Sequence, residues 1–485
     1  MAGGPIPSSA PESARVAELD QALDKIGVTR AHHTIIFLVL IGCLFDSFEQ
    51  NAIGLVGPML KQQWGLDATS IGLLNTVTFA AAAVGRIMSG LIADRYGRRV
   101  MLTVDLLLFT LGASICGLAP DLTVMAIGRA IVGFGLGGEV AIAVTMLSEF
   151  CSTKFRGTAV GLVNVGAGGL GNFLAPAFGL LVFTLFPGED SWRWLFFCLM
   201  APALLGAFYR RYIPETPRFL LSQNRVREVN LVLNKLASGK LGKSSGTQQQ
   251  FLNETAAEEL KPKVKVRITE IFRGALARRT IPLCISIWMT YGAQISVLTL
   301  MPTILVSLGY SMSKSLLFTM VMQSGSLLGA IAASIFGFHL PRKRVLTIGA
   351  ACACLAALSI GFLAKSIVLI LIAGAVFQFF VLLLNTTIWI YAPELYPTRV
   401  RAFGTAFILA TGTAAGAFMP LAAGRLFDSF GLAGVFGMIA AMYVIFIVSV
   451  QSAPETYGKS PDALVLPVEA EAALAATPAA AASRS

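Results

Sequence analysis

Residues 44 to 58, LFDSFEQNAIGLVGP, place two carboxylates, Asp46 and Glu49, inside the first long apolar run of the chain. In a run that crosses a bilayer, a central charge costs from about 3 to more than 10 kcal/mol, so such groups need a partner or a task. Their spacing of three puts both on one helix face, an acidic patch turned inward from lipid. Four more ionisable residues sit within apolar runs of the same half: Arg86, Asp105, Arg129 and Glu139. Arg86 precedes Asp94 by eight residues, about 12 Å of helix, which places it within the bilayer. Burial disfavours a charged carboxylate and a neighbouring arginine favours it, so a moving arginine or an arriving anion can switch protonation. This chemistry suits a proton-coupled carrier. Asp46, Glu49 and Glu139 are its proton-binding candidates, Arg129 is their charge partner, and Arg86 or Arg129 attracts an anionic solute. A fixed internal ion-pair network is the alternative for the group. Asp105, near the end of its run, reads as the structural partner of an arginine.

The later half is almost free of buried charge and offers Tyr291, Gln294, Gln323, Gln378, Asn385 and Trp389. Tyr291 and Trp389 could wall a flat ring, packing being the alternative use of an aromatic there. Acidic groups in one half and aromatic and amide groups in the other suit a small organic anion with an apolar body. The solute-binding candidates are Arg86, Tyr291, Gln294, Gln323, Asn385 and Trp389.

The elements that must position these groups are membrane helices. Apolar residues make up 55% of the 485 positions, charged residues 13%, and mean hydropathy is +0.74, a balance that no water-exposed globular surface supports. Twelve apolar runs of bilayer-crossing length occur, the first at 34 to 60 and the last at 432 to 452. The first is too long for a signal-peptide core and has no small-residue cleavage site, so nothing is expected to be removed. The net charge of +11 falls in alternate loops, which argues for the positive-inside rule rather than for nucleic acid and puts both termini in the cytoplasm. The seven cysteines are scattered and read as apolar filler.

A polar stretch divides the runs six and six. The expected organisation is a cytoplasmic N-terminal segment (1–33), a six-helix half (34–209), a cytoplasmic linker (210–279), a second six-helix half (280–452) and a low-complexity cytoplasmic tail (453–485). Within the linker, GKLGKSSG fails the spacing of a phosphate loop. The halves repeat: Glu149 to Arg156 after run 4 matches Glu394 to Arg401 after run 10, and Pro214-Glu215-Thr216 matches Pro454-Glu455-Thr456. Parallel halves related by an axis along the membrane normal place a solute site between them at mid-membrane.

Between runs 2 and 3 the chain reads Gly90-Leu-Ile-Ala-Asp94-Arg95-Tyr-Gly97-Arg98-Arg99. This resembles the loop signature of the major facilitator superfamily, and the resemblance covers about 34 to 457. Arg129 in GRAIVGFGLGGE, PETPRFL at 214 to 220 and PELYPTRVRAFG at 393 to 404 are also family-like, the last two close to the sugar-porter branch. The resemblance implies an all-α membrane protein of twelve transmembrane helices in two parallel halves. It also implies a conformational latch of Gly90, Asp94, Arg95, Gly97, Arg98, Arg99, Glu149, Arg156, Glu394, Arg399 and Arg401, with Asp94 docked on the start of a helix from the other half, where the helix N-terminus favours negative charge. In the matching loop Phe338 stands where Asp94 would align, so the latch is expected to be one-sided. Asp46-Ser47-Phe48-Glu49 is similar to the Asp-Gly-Phe-Asp signature of the aromatic acid/proton symporters, in which both acids are implicated in transport. Ser47 replaces the glycine and Glu49 the second aspartate, and the longer reach at 49 puts the choice of solute in question.

The reading is therefore a proton-coupled symporter for a small, aromatic-type organic acid in a bacterial-type inner membrane, working by alternating access. Its partners are the bilayer, protons and a small solute, with no nucleic acid, one chain sufficing and no cofactor beyond the proton. Alternatives are sugar or polyol uptake, proton-linked drug export, or a ligand sensor with the same fold. An enzyme is not expected: His32, His33 and His339, all near helix ends, supply neither a metal cluster nor a nucleophile with its base.

Overall fold

The computed structural model describes residues 11–152, 155–241, 249–253, 268–336, 340–363, 366–396 and 398–456. A short helix, α1 (Pro11–Ile26), precedes the first half: α2 (Arg30–Trp64), α3 (Ala68–Tyr96), α4 (Arg98–Leu118) and α5 (Leu122–Phe150). Next, α6 (Arg156–Asn164) runs through a π-helical stretch (Val165–Gly171) into α7 (Asn172–Leu185), and α8 (Ser191–Cys198) is followed by α9 (Pro202–Tyr212). Between the halves lie α10 (Pro217–Ser222) and α11 (Val226–Ser238). The second half comprises α12 (Gly274–Ser307), α13 (Met312–Phe336), α14 (Arg342–Leu358), α15 (Ile367–Glu394) and α16 (Thr398–Gln451).

Ten helical stretches among the described residues are long and apolar enough to cross a membrane. α16 breaks at Gly431 (φ 62°, ψ −147°) and so makes two passes. α8 and α9 together make one more, interrupted before Pro202, whose missing N–H suits a helix start. The architecture is thus twelve passes in two six-helix halves, as the hydropathy pattern predicts. Large apolar side chains such as Leu107, Leu111, Leu355 and Val448 are more than half exposed, which is the outward belt of a protein solvated by lipid. The halves meet where α2 packs on α12, α3 on α16, and α7 with the π-helical stretch on α13.

Glycine sets the closeness of α3 and α5: a Cβ added at Gly137 would lie 2.0 Å from the carbonyl oxygen of Ala82. Small residues allow such contact between membrane helices. Gly137→Leu should force the pair apart and cost about 1–3 kcal/mol or more. A clear loss of Tm in detergent is expected, and an unchanged Tm would show that the contact is soft.

The face carrying α1 and residues 453–456 is called here the terminal face, and the opposite one the far face. At the terminal face α11 buries Val226, Val229, Val232, Leu233 and Leu236, an amphipathic stripe. Arg218 pairs with Asp20 of α1 at 2.7 Å, and Thr29 Oγ1 donates to the Leu236 carbonyl at 2.7 Å. Helix therefore occupies stretches whose polarity suggested an N-terminal segment and a linker. Most of GKLGKSSG, and the tail from 457, lie outside the described residues.

Candidate functional site

The mid-membrane region of the first half holds two separate charge sites. Glu49 on α2 and Arg129 on α5 form an ion pair with both side chains fully buried. Arg129 Nε also donates to Thr78 Oγ1 at 2.9 Å, and its Nη2 to the Glu49 carbonyl at 3.4 Å. Asp46, one turn earlier on α2, instead lies beside Glu139 on α5, close enough for the two acids to interact electrostatically. All four of these carboxyl oxygens are buried without a protein hydrogen-bond partner among the described residues. The acidic patch read from the three-residue spacing is thus divided: one acid is paired with a cation, and the other faces a second acid. Ionised carboxylates only accept hydrogen bonds, so neither acid can satisfy the other unless one of them carries a proton.

Asp105 takes a hydrogen bond from Ser89 Oγ at 3.0 Å, and its other oxygen has no partner among the described residues. The expected arginine is not its partner; the small side chain of Ser89 and the approach of Gly138 fill that side of it.

A cavity lies between the halves, beside these charges. Arg86, Tyr291, Gln294, Asn385 and Trp389 line it, together with Ser47, Gln50, Asn164 and Asn172, which the sequence reading passed over. Gln323 is not in the lining: it accepts from Ser326 Oγ at 2.7 Å, and Ser326 also approaches Gln378 at 3.4 Å. Arg129 is not in the lining either. Arg86 Nε donates to the Gly137 carbonyl at 3.3 Å, and its Nη1 reaches across the halves to the Leu409 carbonyl at 3.2 Å. A guanidinium has five N–H donors, so three of those on Arg86 have no protein acceptor among the described residues. Asp46 and Tyr291 lie within electrostatic reach of it. Asn385 Nδ2 donates to Gln294 Oε1 at 2.6 Å, and Asn164 to Thr386, the latter again across the halves.

The π-helical stretch contributes Ala167 and Gly168 to the lining. Its wide turns leave carbonyls for side chains, as is frequent for such bulges at functional sites. Ser47 Oγ donates to the Ala167 carbonyl at 2.8 Å and Asn172 Nδ2 to that of Gly168 at 2.9 Å. Asn164 and Asn172 flank a glycine-rich stretch, Gly166 to Gly171, and polar residues there were the available signal.

At the terminal face the ion pairs between described residues close each half on itself. Arg98 bonds Asp94 at 2.8 Å and lies 3.4 Å from Glu149, while Glu215 Oε1 accepts from the backbone N–H groups of Arg98 and Arg99 at 2.9 and 3.3 Å. In the second half Arg342 bonds Glu394 at 3.0 Å, Glu455 accepts from the N–H groups of Arg342 and Lys343 at 3.0 Å each, and Thr456 Oγ1 donates to Glu394 at 2.5 Å. Asp94 is 56% exposed and bonded inside its own half, not docked on a helix of the other. The latch read as one-sided has corresponding charge clusters in both halves. Phe338, on which that reading rested, lies outside the described residues, as do the side chains of Arg156 and Arg399. Gly97 has φ 104°, and a Cβ there would lie 2.2 Å from Glu215 Oε2, so both backbone and neighbour call for glycine. Gly90 faces open space, the Arg95 guanidinium lies 5.4 Å from the Tyr96 ring centroid, and Arg401 Nε donates to the Tyr396 carbonyl at 3.2 Å.

Comparison with known proteins agrees with this architecture. A family model described as "Sugar (and other) transporter" matches residues 38–463. A niacin transporter of Acinetobacter baylyi is 27% identical over 453 residues, covering 93% of this chain and all of the relative. A gallate transporter of Pseudomonas putida is 28% identical over 407 residues, 80% of this chain and 85% of the relative. The crystal structure of a D-xylose-proton symporter superposes with a TM-score of 0.70 over 88% of this chain and 99% of the other, at 19% identity, a likeness of fold.

Proposed function

The chain belongs to the sugar (and other) transporter family of the major facilitator superfamily, and from that premise we propose that it takes up a small organic acid, of the aromatic type, together with protons. The observation that carries the reading is Arg86: a guanidinium on the cavity wall, with donors to spare, beside a buried carboxyl pair that has none. Its relatives include transporters of niacin and of gallate, each an aromatic acid. Tyr291 and Trp389 would flank the ring, and Arg86 would hold the carboxylate.

Coupling follows from charge. When a proton sits on the Asp46–Glu139 pair, the positive field of Arg86 is less compensated and an anion is bound more tightly. Reciprocity requires that the anion favour the proton in return. Glu49 and Arg129 are then the scaffold of this site, the pair that fixes α2 against α5. Entry of more protons than anionic charges lets the membrane potential, about 2.3 kcal/mol per charge per 100 mV, drive accumulation. The basic loops of the terminal face favour its placement in the cytoplasm, and an inner membrane fits the bacterial relatives. One chain contains both halves and the whole cavity, so we take it as the working unit.

The amide pair Asn385–Gln294 also suits hydroxyl groups, which makes sugar or polyol uptake the second reading. Arg86→Gln separates the two. Loss of a charged hydrogen bond is worth about 1.5–3 kcal/mol, so KM for nicotinate or benzoate should rise about 10- to 100-fold. If Arg86→Gln leaves KM for those acids unchanged, or if only a hexose or pentose is transported, the organic acid reading fails.

A further inference from the structure

On the far face the second half supplies the cap of a first-half helix. The first N–H groups of α3 have no partner within the helix. Asp67, the residue before it, accepts from Ser70 N at 2.7 Å, and the Asp67 carbonyl accepts from Ile71 N at 3.3 Å. The remaining two are taken by Asp428 of α16: Oδ1 accepts from Ala68 N at 3.3 Å and Oδ2 from Thr69 N at 3.0 Å. Asp428 Oδ2 also accepts from Thr69 Oγ1 at 2.7 Å. One carboxylate thus receives three hydrogen bonds from the opposite half, at a helix end whose dipole favours negative charge. Below it the backbones of α3 and α16 are in close approach, a Cβ at Gly424 falling 2.5 Å from the Ala68 carbonyl.

We propose that Asp428 is a positioning residue of the transport cycle, a releasable clasp that holds the far face shut by capping α3 from the other half. Because Asp428 is exposed and Thr69 only half-buried, water can replace each of the three bonds when the halves part. The clasp therefore biases the equilibrium between far-face-closed and far-face-open states without locking it. It is the geometry that the terminal-face loop was expected to use, an acid on a helix start of the other half, found at the opposite side of the membrane. The clasp requires only that the halves rock, and so is independent of which solute is carried.

The test reads the two states directly. Gln62 and Ser429, exposed on different halves at the far face, are replaced by spin-labelled cysteines after the native cysteines are changed to serine, and the distance distribution is measured in lipid nanodiscs. Asp428→Ala should lower the closed-to-open ratio about fivefold, in keeping with the loss of a helix cap. Asp428→Asn, which keeps an acceptor and loses the charge, should fall between. Thr69→Val should act in the same direction and add little in the double variant with Asp428→Ala. Should Asp428→Ala fold poorly, Asp428→Asn and Thr69→Val still decide the point. Distance distributions that match the parent in all variants, or Asp428→Ala and Thr69→Val effects that simply add, would overturn the clasp.

Discussion

Arg129→Met is expected to cost about 3–5 kcal/mol of stability, because it leaves the Glu49 carboxylate buried without its cation. The reverse change should be worse. Glu49 can relieve its burial by taking a proton, whereas an arginine side chain cannot shed one in a protein, so Glu49→Met strands a permanent charge between α2, α3 and α5. The double variant Glu49→Met/Arg129→Met removes both charges and should regain most of the loss, since a buried pair contributes little net stability against an apolar replacement. Thermal unfolding of the four proteins in one detergent orders them: parent and double variant high, Arg129→Met lower, Glu49→Met lowest. If both single variants unfold at the parental temperature, the pair is not the scaffold described.

The other large effect concerns the second acid site. Asp46→Asn or Glu139→Gln gives the contact a permanent amide donor and removes the group that would exchange a proton. Gradient-driven accumulation of an organic acid should fall at least tenfold, while exchange of labelled for unlabelled solute across vesicles at equal pH continues, because that half-cycle needs no net proton movement. Retained accumulation in both variants would place the coupling proton elsewhere. Loss of accumulation and exchange together, in protein that still unfolds at its usual temperature, would make the pair part of solute binding instead.

Much of this site was legible because charge inside an apolar run is rare and demands a reason. Asp46, Glu49, Arg86, Arg129 and Glu139 stand out on that ground alone, and the twelve passes follow from hydropathy. What the pattern could not give was partnership. Helical spacing places Asp46 and Glu49 on a common face, yet their partners Glu139 and Arg129 lie ten residues apart on α5, and only packing decides which acid meets which. Gln323 shows the same limit: a polar residue in a membrane helix reads as a cavity candidate, but here it bonds Ser326 within its own helix. The helices α1 and α11 were hidden by their polarity, although the apolar positions Val226, Val229, Leu233 and Leu236 carry helical spacing that a reading attentive to amphipathic stripes would find. Asp428 was invisible for a different reason, as two of its three donors are backbone N–H groups about 360 residues away, and no side-chain pattern announces them.

The most direct test is uptake of labelled nicotinate and benzoate, with xylose and glucose alongside, into proteoliposomes given a pH gradient acidic on the outside. The account predicts that an aromatic acid accumulates above its outside concentration only while the gradient stands, that a proton ionophore added with it abolishes accumulation, and that the sugars do not accumulate. Gradient-driven uptake of a sugar with none of the acids, or accumulation of the acid that survives collapse of the gradient, would contradict it.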